Sequence, residues 1–459
     1  MGVTAELAKF VCHTRYEDIP EEAISIAKRC IIDGIGIMLS GSTEEAIRIL
    51  LDYLLPLKGK KEATVLGKKI RLPAPQAALV NGTSGHAQDF DDTQLSTTPD
   101  RIYGLLTHPT VPVLAGVLAV GERRNISGKE FLTAFVVGSE VECKIAEAID
   151  PTHYKKGYHT TGTIGTFGSA AAAAKILGLT EEQTCTTIGI AASMSAGIRA
   201  NFGTMTKPLH AGRAAENGIV AASLARLGFT AAKDALENPW GYFAILGNGF
   251  DEARLLNKLG NPYTLVYPGI SIKPYPSGVL SHPSMDAMLD LVREFDLKPQ
   301  DIKEVKLYAG SNILNPLRYN LPQTALEGKF SLPFCLASII LRRKAGLKEF
   351  SDEFIRSREV QDLMKRILTI HDPEIETQGY DRIRSRIEVL LHDGRILIKN
   401  SGPYRGGPER PLSEEELAEK FLSCAEFVLK PTSARALLNI LGEIDKVPHI
   451  RKVIAKTKP

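Results

Sequence analysis

The chain has 459 residues, enough for two or three domains, and its 44% hydrophobic and 24% charged residues are ordinary for a globular protein, which excludes wholesale disorder and fibrous repeats. Its 56 Lys and Arg against 53 Asp and Glu leave a net charge of +3, too small to mark a nucleic-acid or anionic-membrane surface. Six scattered cysteines (Cys12, Cys30, Cys143, Cys185, Cys335, Cys424) form no Cys-x-x-Cys pair and read as buried, reduced thiols. The N-terminus lacks the apolar stretch of a secretion signal, and the longest apolar run, Val111 to Val120, falls far short of the roughly 20 residues that span a bilayer. The expectation is a soluble, cytoplasmic protein that binds neither nucleic acid nor membrane.

Apolar residues recur at three- and four-residue intervals through most of the first 260 residues, which predicts helices. One short hairpin interrupts them, with Ala63 to Leu66 and Lys69 to Leu72 flanking Gly67-Lys68. Ser127 with Glu130 and Thr180 with Gln183 have capping-box spacing and mark helix starts. Gly162, Gly165 and Gly168 precede a run of alanines without the Lys-Ser/Thr pair of a phosphate loop, so they read as sites of close helix packing. The character changes after Tyr267. Ser284 to Phe295 and Phe330 to Arg343 read as helices, Glu304 to Tyr308 as a strand, and Arg382 to Leu391 with Arg395 to Lys399 as a hairpin about Asp393-Gly394. A turn-rich segment from Pro403 to Pro411 follows, then a capping box at Ser413 and Glu416 and terminal helices. The expected fold is mostly α: a large helical domain over residues 1–267, to which 405–459 return, and a smaller α+β lid domain over 268–404.

Four cationic or potentially cationic residues stand directly before proline: His108, Lys207, Lys273 and His282. Three of these prolines open a helical pattern, where the helix dipole disfavours a cation, and the repetition suggests an anion bound between the helix ends. Lys207, His210 and Arg213, at three-residue steps, would fan over roughly 120° of one helix and together hold a di- or tricarboxylate; Arg213 reads equally as a surface ion pair. Asp89, Asp91 and Asp92 form an acidic cluster just after His86. They lack the glycine and regular spacing of a metal loop, so the reading is no metal, with one or two carboxylates facing the cations and the rest capping a helix or bonding backbone amides. His159 lies among small residues at a helix start, suited to proton transfer or to a structural role. No serine or cysteine stands in a nucleophile pattern, which disfavours covalent hydrolysis.

The segments Ala78-Leu-Val-Asn-Gly-Thr-Ser-Gly-His-Ala-Gln-Asp-Phe-Asp-Asp-Thr93, His108-Pro, Gly157-Tyr-His159, Lys207-Pro-Leu-His210-Ala-Gly-Arg and Lys273-Pro-Tyr-Pro, in this order, resemble the MmgE/PrpD family nearly end to end. That family includes 2-methylcitrate dehydratase, cis-aconitate decarboxylase and iminodisuccinate epimerase. The resemblance implies a helical domain with an α+β lid, a homodimer, and an active site between the domains. It also implies catalytic roles for Asp89, His159, Lys207, Lys273, Tyr319 and His108, and ligand contacts from Thr93, with His282 at the rim. The segment from Gln94 to Thr107 looks longer than its counterpart in the decarboxylases. The expected activity is a cofactor-independent lyase on a small polycarboxylate, with dehydration ranked ahead of decarboxylation and epimerisation. A non-catalytic carboxylate sensor and a metal-dependent hydratase are the rivals.

Overall fold

The computed structural model describes residues 2–94, 107–378 and 383–459. Its principal helices before the change in character are α1 (Glu21–Gly41), α2 (Ala74–His86), α3 (Thr110–Arg124), α4 (Gly128–Ala148), α5 (Gly165–Leu177) and α6 (Thr206–Arg226). The apolar run at Val111 becomes α3, which is buried from Thr110 to Glu122; a helix apolar all round belongs in a core. The three expected capping boxes form at Ser127, Thr180 and Ser413. The expected hairpin forms as β1 (Ala63–Val65) and β2 (Ile70–Leu72), and helix dominates the described residues as far as Arg226, whereas residues 227–264 hold turns and short 3₁₀ or π elements where helix was expected.

Glycines set the helix spacing. A Cβ on Gly165 would lie 2.8 Å from Pro112, and one on Gly168 would lie 2.8 Å from Val113, so α5 rests directly on α3. The tightest approach joins α2 to α6: a Cβ on Gly82 would come within 2.8 Å of the Gly212 Cα, and one on Gly212 within 2.3 Å of the Leu79 carbonyl oxygen. Since His86 follows Gly82 by one turn and Lys207 precedes Gly212 by more than one, this antiparallel contact brings the end of α2 to the start of α6.

After the crossing come α7 (His282–Glu294), β3 (Ile302–Ala309), α8 (Leu332–Arg342), β4 (Ile367–His371), β5 (Ser385–Leu391) and β6 (Ile396–Asn400). The sheet has the order β4-β3-β5-β6. The expected hairpin pairs β5 with β6, and β3 lies antiparallel to β5; α7 and α8 pack against this sheet as expected. Strand β4, which pairs parallel with β3, is an addition to the expected elements. Its five residues are only half-buried and carry no alternation strong enough to announce them.

The buried apolar residues form two clusters. One runs from Val3 to Ile272 and resumes from Leu412 to Ile454; the other runs from Tyr275 to Leu391. The chain thus passes between the clusters at Lys273, a few residues after the expected change at Tyr267, and returns between Tyr404 and Leu412. The returning helix α9 (Glu414–Ala425) is fastened to α1 by a buried ion pair, Lys420 to Asp33 at 2.6 Å.

Gly212→Ala is expected to force α2 and α6 apart, to cost about 1–3 kcal/mol of stability and to lower turnover by separating His86 from Lys207. Urea unfolding checks the first effect and turnover the second, with Gly442→Ala, whose added methyl meets nothing within 4 Å, as the neutral control.

Candidate active site

The helix α2 ends at His86, and the chain reverses through Asp89, whose φ of +51° is a left-handed conformation that aspartate tolerates better than most residues. This turn aims three carboxylates in three directions. Asp89 takes hydrogen bonds from Lys207 Nζ at the start of α6 and from Lys273 Nζ, at 3.2 Å, between the two apolar clusters. Asp91 receives His86 Nδ1 at 2.7 Å and faces His108 Nδ1 at 3.2 Å. Asp92 accepts from the Thr110 amide and hydroxyl at the start of α3. One carboxylate therefore faces lysine ammonium groups, a second faces imidazoles, and the third serves a helix end, which fits the expectation that one or two would face the cations.

Burial disfavours charge on Asp89 and Asp91. The lysines around Asp89 and the histidines around Asp91 outweigh it and hold both well below the usual carboxylate range. Asp92 lacks such partners, and burial pushes it up to about 7. Burial lowers the Lys207 ammonium, with Asp89 opposing, and drives His86 down to about 3. Neutral His86, with its Nδ1 proton on Asp91, presents a lone pair at Nε2 to Lys207 Nζ, 3.0 Å away. Lys207 thus spends two N–H groups on Asp89 and His86 and keeps a third.

His159 caps the short helix Thr160–Thr163 and is fixed by its own amide, which donates to the Gly197 carbonyl at 3.0 Å. Its Nδ1 lies 3.0 Å from His210 Nδ1, so one ring donates to the other. Its Nε2 is buried and has no hydrogen-bond partner among the described residues. Burial, then the nearby Lys207, keeps this imidazole well below its ordinary value. Asp89, His108, His159, Lys207 and Lys273 all face one inner cavity of about 30 Å³ at the seam between the two apolar clusters, roofed by Phe202 and Phe330. That volume admits only a water or two.

Other expected site residues lie elsewhere. Arg213 is exposed and paired with Glu216; two steps of 300° from Lys207 turn the side chain 120° away, so Lys207 is buried, His210 half-buried and Arg213 in solvent. Tyr319 lines a neighbouring outer cavity instead of the inner one. Thr93 pairs its backbone with Ser271, which positions the Lys273 segment, and its buried hydroxyl has no hydrogen-bond partner among the described residues. His282, the first residue of α7, is buried beside Tyr275 with Nε2 3.3 Å from the Ser277 carbonyl, off the cavity wall. The lengthened segment after Gln94 falls outside the described residues, while His108 beyond it does reach the cavity.

Sequence reasoning noted His86 beside the acidic cluster without giving it a role, and missed Lys329 and Lys420. Lys329 Nζ donates to the Ala87 carbonyl at 3.0 Å and Lys420 Nζ to the Phe90 carbonyl at 2.9 Å. Neither lysine stands in a motif, but His86 sits three residues before Asp89 on the last turn of α2 and was discoverable from its helical register.

Among the described residues, His86, Asp91 and His108 form the one group whose ligand atoms lie close enough to suggest an ion. The donor set fits hydrogen bonding better. His108 Nδ1 also lies 2.8 Å from the Asp92 backbone carbonyl, which calls for a proton on that nitrogen and removes its lone pair from coordination.

The acid limb of kcat/KM is expected to lie below pH 6.5, because burial disfavours the protonated form of His159 and its neighbours. A histidine limb at 6.5 or above would contradict this reading. An inflection near 7 that Asp92→Asn abolishes belongs to Asp92 instead.

Residues 5–254 match the MmgE/PrpD N-terminal domain and residues 275–446 the MmgE/PrpD C-terminal domain. The human cis-aconitate decarboxylase is 30% identical over 457 residues, covering 97% of this chain and 92% of the relative. The mouse enzyme of the same name is 27% identical, with 97% and 91% covered, and that of Aspergillus terreus 25%, with 99% and 95% covered. With matching domains over most of its length and relatives aligned almost end to end, the chain belongs to the MmgE/PrpD family and is a lyase of that family.

Proposed function

We propose that this lyase decarboxylates cis-aconitate or a closely similar unsaturated tricarboxylate without a cofactor. The observation that carries the reading is the unpartnered Nε2 of His159 beside two lysines that share one aspartate, all facing one small buried cavity. The human, mouse and Aspergillus terreus relatives, each named cis-aconitate decarboxylase, favour loss of carbon dioxide over the dehydration that the sequence analysis ranked first.

The free N–H groups of Lys207 and Lys273 bind substrate carboxylates. When carbon dioxide leaves the methylene arm, the electrons of the broken C–C bond form a new terminal double bond. The former π pair moves to the carbon beside a second carboxylate, where the lysines stabilise it in the low-dielectric site. A proton from His159 Nε2 then completes a methylene-bearing dicarboxylate. His210, half-buried and bonded through Nδ1, returns a proton to His159 from solvent. His86 positions Lys207 by accepting one of its protons, which aims the remaining N–H at the substrate.

Proton NMR in D₂O of chelator-treated protein with cis-aconitate, 2-methylcitrate, citrate and iminodisuccinate separates the readings. New vinylidene signals and deuterium at one methylene are expected from cis-aconitate. An alkene formed from 2-methylcitrate or citrate would instead establish dehydration, and exchange with inversion an epimerase. Binding with no product across the panel would favour a sensor, and activity lost on chelation a metal-dependent hydratase. His159→Ala is expected to slow turnover by about 10²–10⁴-fold with substrate binding largely retained, measured by steady-state kinetics and calorimetry.

The homodimer implied by the resemblance has an apolar surface to use: Phe229, Trp240 and Ile245 are exposed around a cavity of about 740 Å³, close to exposed Leu227. Light scattering is expected to report twice the 50.0 kDa chain mass, and a monomer would contradict it.

A further inference from the structure

The inner cavity is too small for any tricarboxylate, yet an outer cavity of about 210 Å³ lies against it. The two share Phe202, Pro316 and Phe330 as walls. Phe202 and Phe330 stack at 5.7 Å and 26°, and Lys207 Nζ lies 5.3 and 5.5 Å from their ring centres. The aromatic pair is therefore the partition between the reactive lysine and the outer space.

Two arginines line that outer space, and neither has an acidic partner among the described residues. Arg199 lies over the Tyr154 ring at 3.9 Å, donates through Nη1 to the Tyr154 carbonyl at 3.1 Å, and leaves Nε buried without a partner. The exposed Arg318 side chain hydrogen-bonds only its neighbour among the described residues, with Nη2 3.4 Å from the Tyr319 hydroxyl. Arg48, Arg343 and Arg356, by contrast, are each matched by a carboxylate. An unmatched pair of guanidinium forks at one cavity is a receptor for a planar, multiply charged anion.

We propose that the outer cavity is a vestibule that captures a di- or tricarboxylate between Arg199 and Arg318 before the Phe202–Phe330 partition opens to admit it to Lys207. This rests on the polycarboxylate reading above and adds where the substrate is first held. Gly203, at φ +87° directly after Phe202, supplies the backbone freedom for that ring to swing, and the Tyr319 hydroxyl fills the space a side chain there would take.

The test compares the wild-type enzyme with Arg199→Gln and Arg318→Gln at low and high ionic strength. Each variant is expected to lose about 10-fold in kcat/KM at low salt, with kcat changed less than about 2-fold and a flatter salt dependence. Arg318 bonds only its neighbour, so its variant reads the effect even if loss of the Tyr154 contact unfolds Arg199→Gln. Unchanged kcat/KM at low salt would overturn the proposal, as would a kcat that falls in step with kcat/KM. Calorimetry with propane-1,2,3-tricarboxylate, an inert saturated probe, keeps the question separate from turnover. A Kd raised about 10-fold in Arg318→Gln supports the vestibule even if no substrate in the panel reacts, and an unchanged Kd overturns it.

Discussion

The buried turn from His86 to Asp92 is the constraint on which the rest of the structure depends. Three of its carbonyl groups, at Ala87, Asp89 and Phe90, each receive a lysine ammonium: Lys329, Lys273 and Lys420. These lysines come from three distant parts of the chain, and a fourth, Lys207, reaches the Asp89 carboxylate from α6. A buried carboxylate or ammonium left alone costs several kcal/mol, so no one of these segments can leave without stranding a charge. The turn thereby ties together the helical core, the α+β cluster and the returning C-terminal helices.

The same arrangement prepares the site for chemistry. Lys207 and Lys273 together offset the Asp89 charge, His86 and His108 hold Asp91, and burial favours the neutral form of the imidazoles around the cavity. A neutral histidine can carry a proton on one nitrogen and a lone pair on the other, and its neighbours decide which. Asp91 decides this for His86 and for His108; for His159 the decision falls to His210, itself half-buried.

Position at the seam gives the site its second property. Lys273 occupies the crossing between the two apolar clusters, and the roof of the cavity stacks Phe202, from the loop before α6, on Phe330, both rings packing with the second cluster. Side chains from before and after the Lys273 crossing both line the cavity, so its volume depends on how the two parts of the chain pack.

How far each feature was legible follows from its range in the chain. Capping boxes at Ser127, Thr180 and Ser413, both hairpins, the helical character of α3 and the close packing at Gly165 and Gly168 depend on residues a few positions apart, and the sequence by itself determined them. It also determined the chemistry available: Asp89, His108, His159, Lys207 and Lys273 carry the family's ordered motifs, and all five reach the cavity. Only the tertiary structure decided which members of a motif face inward. Lys207 and Arg213 share one helix, but the 120° between them sends one to Asp89 and the other to solvent. It alone recruited Lys329 and Lys420, which stand in no motif, because a long side chain can satisfy a carbonyl wherever folding brings the two together. Short β4 and the displacement of Tyr319 to the outer cavity belong to the same class: their environment is made by residues remote in sequence, and no local pattern encodes it.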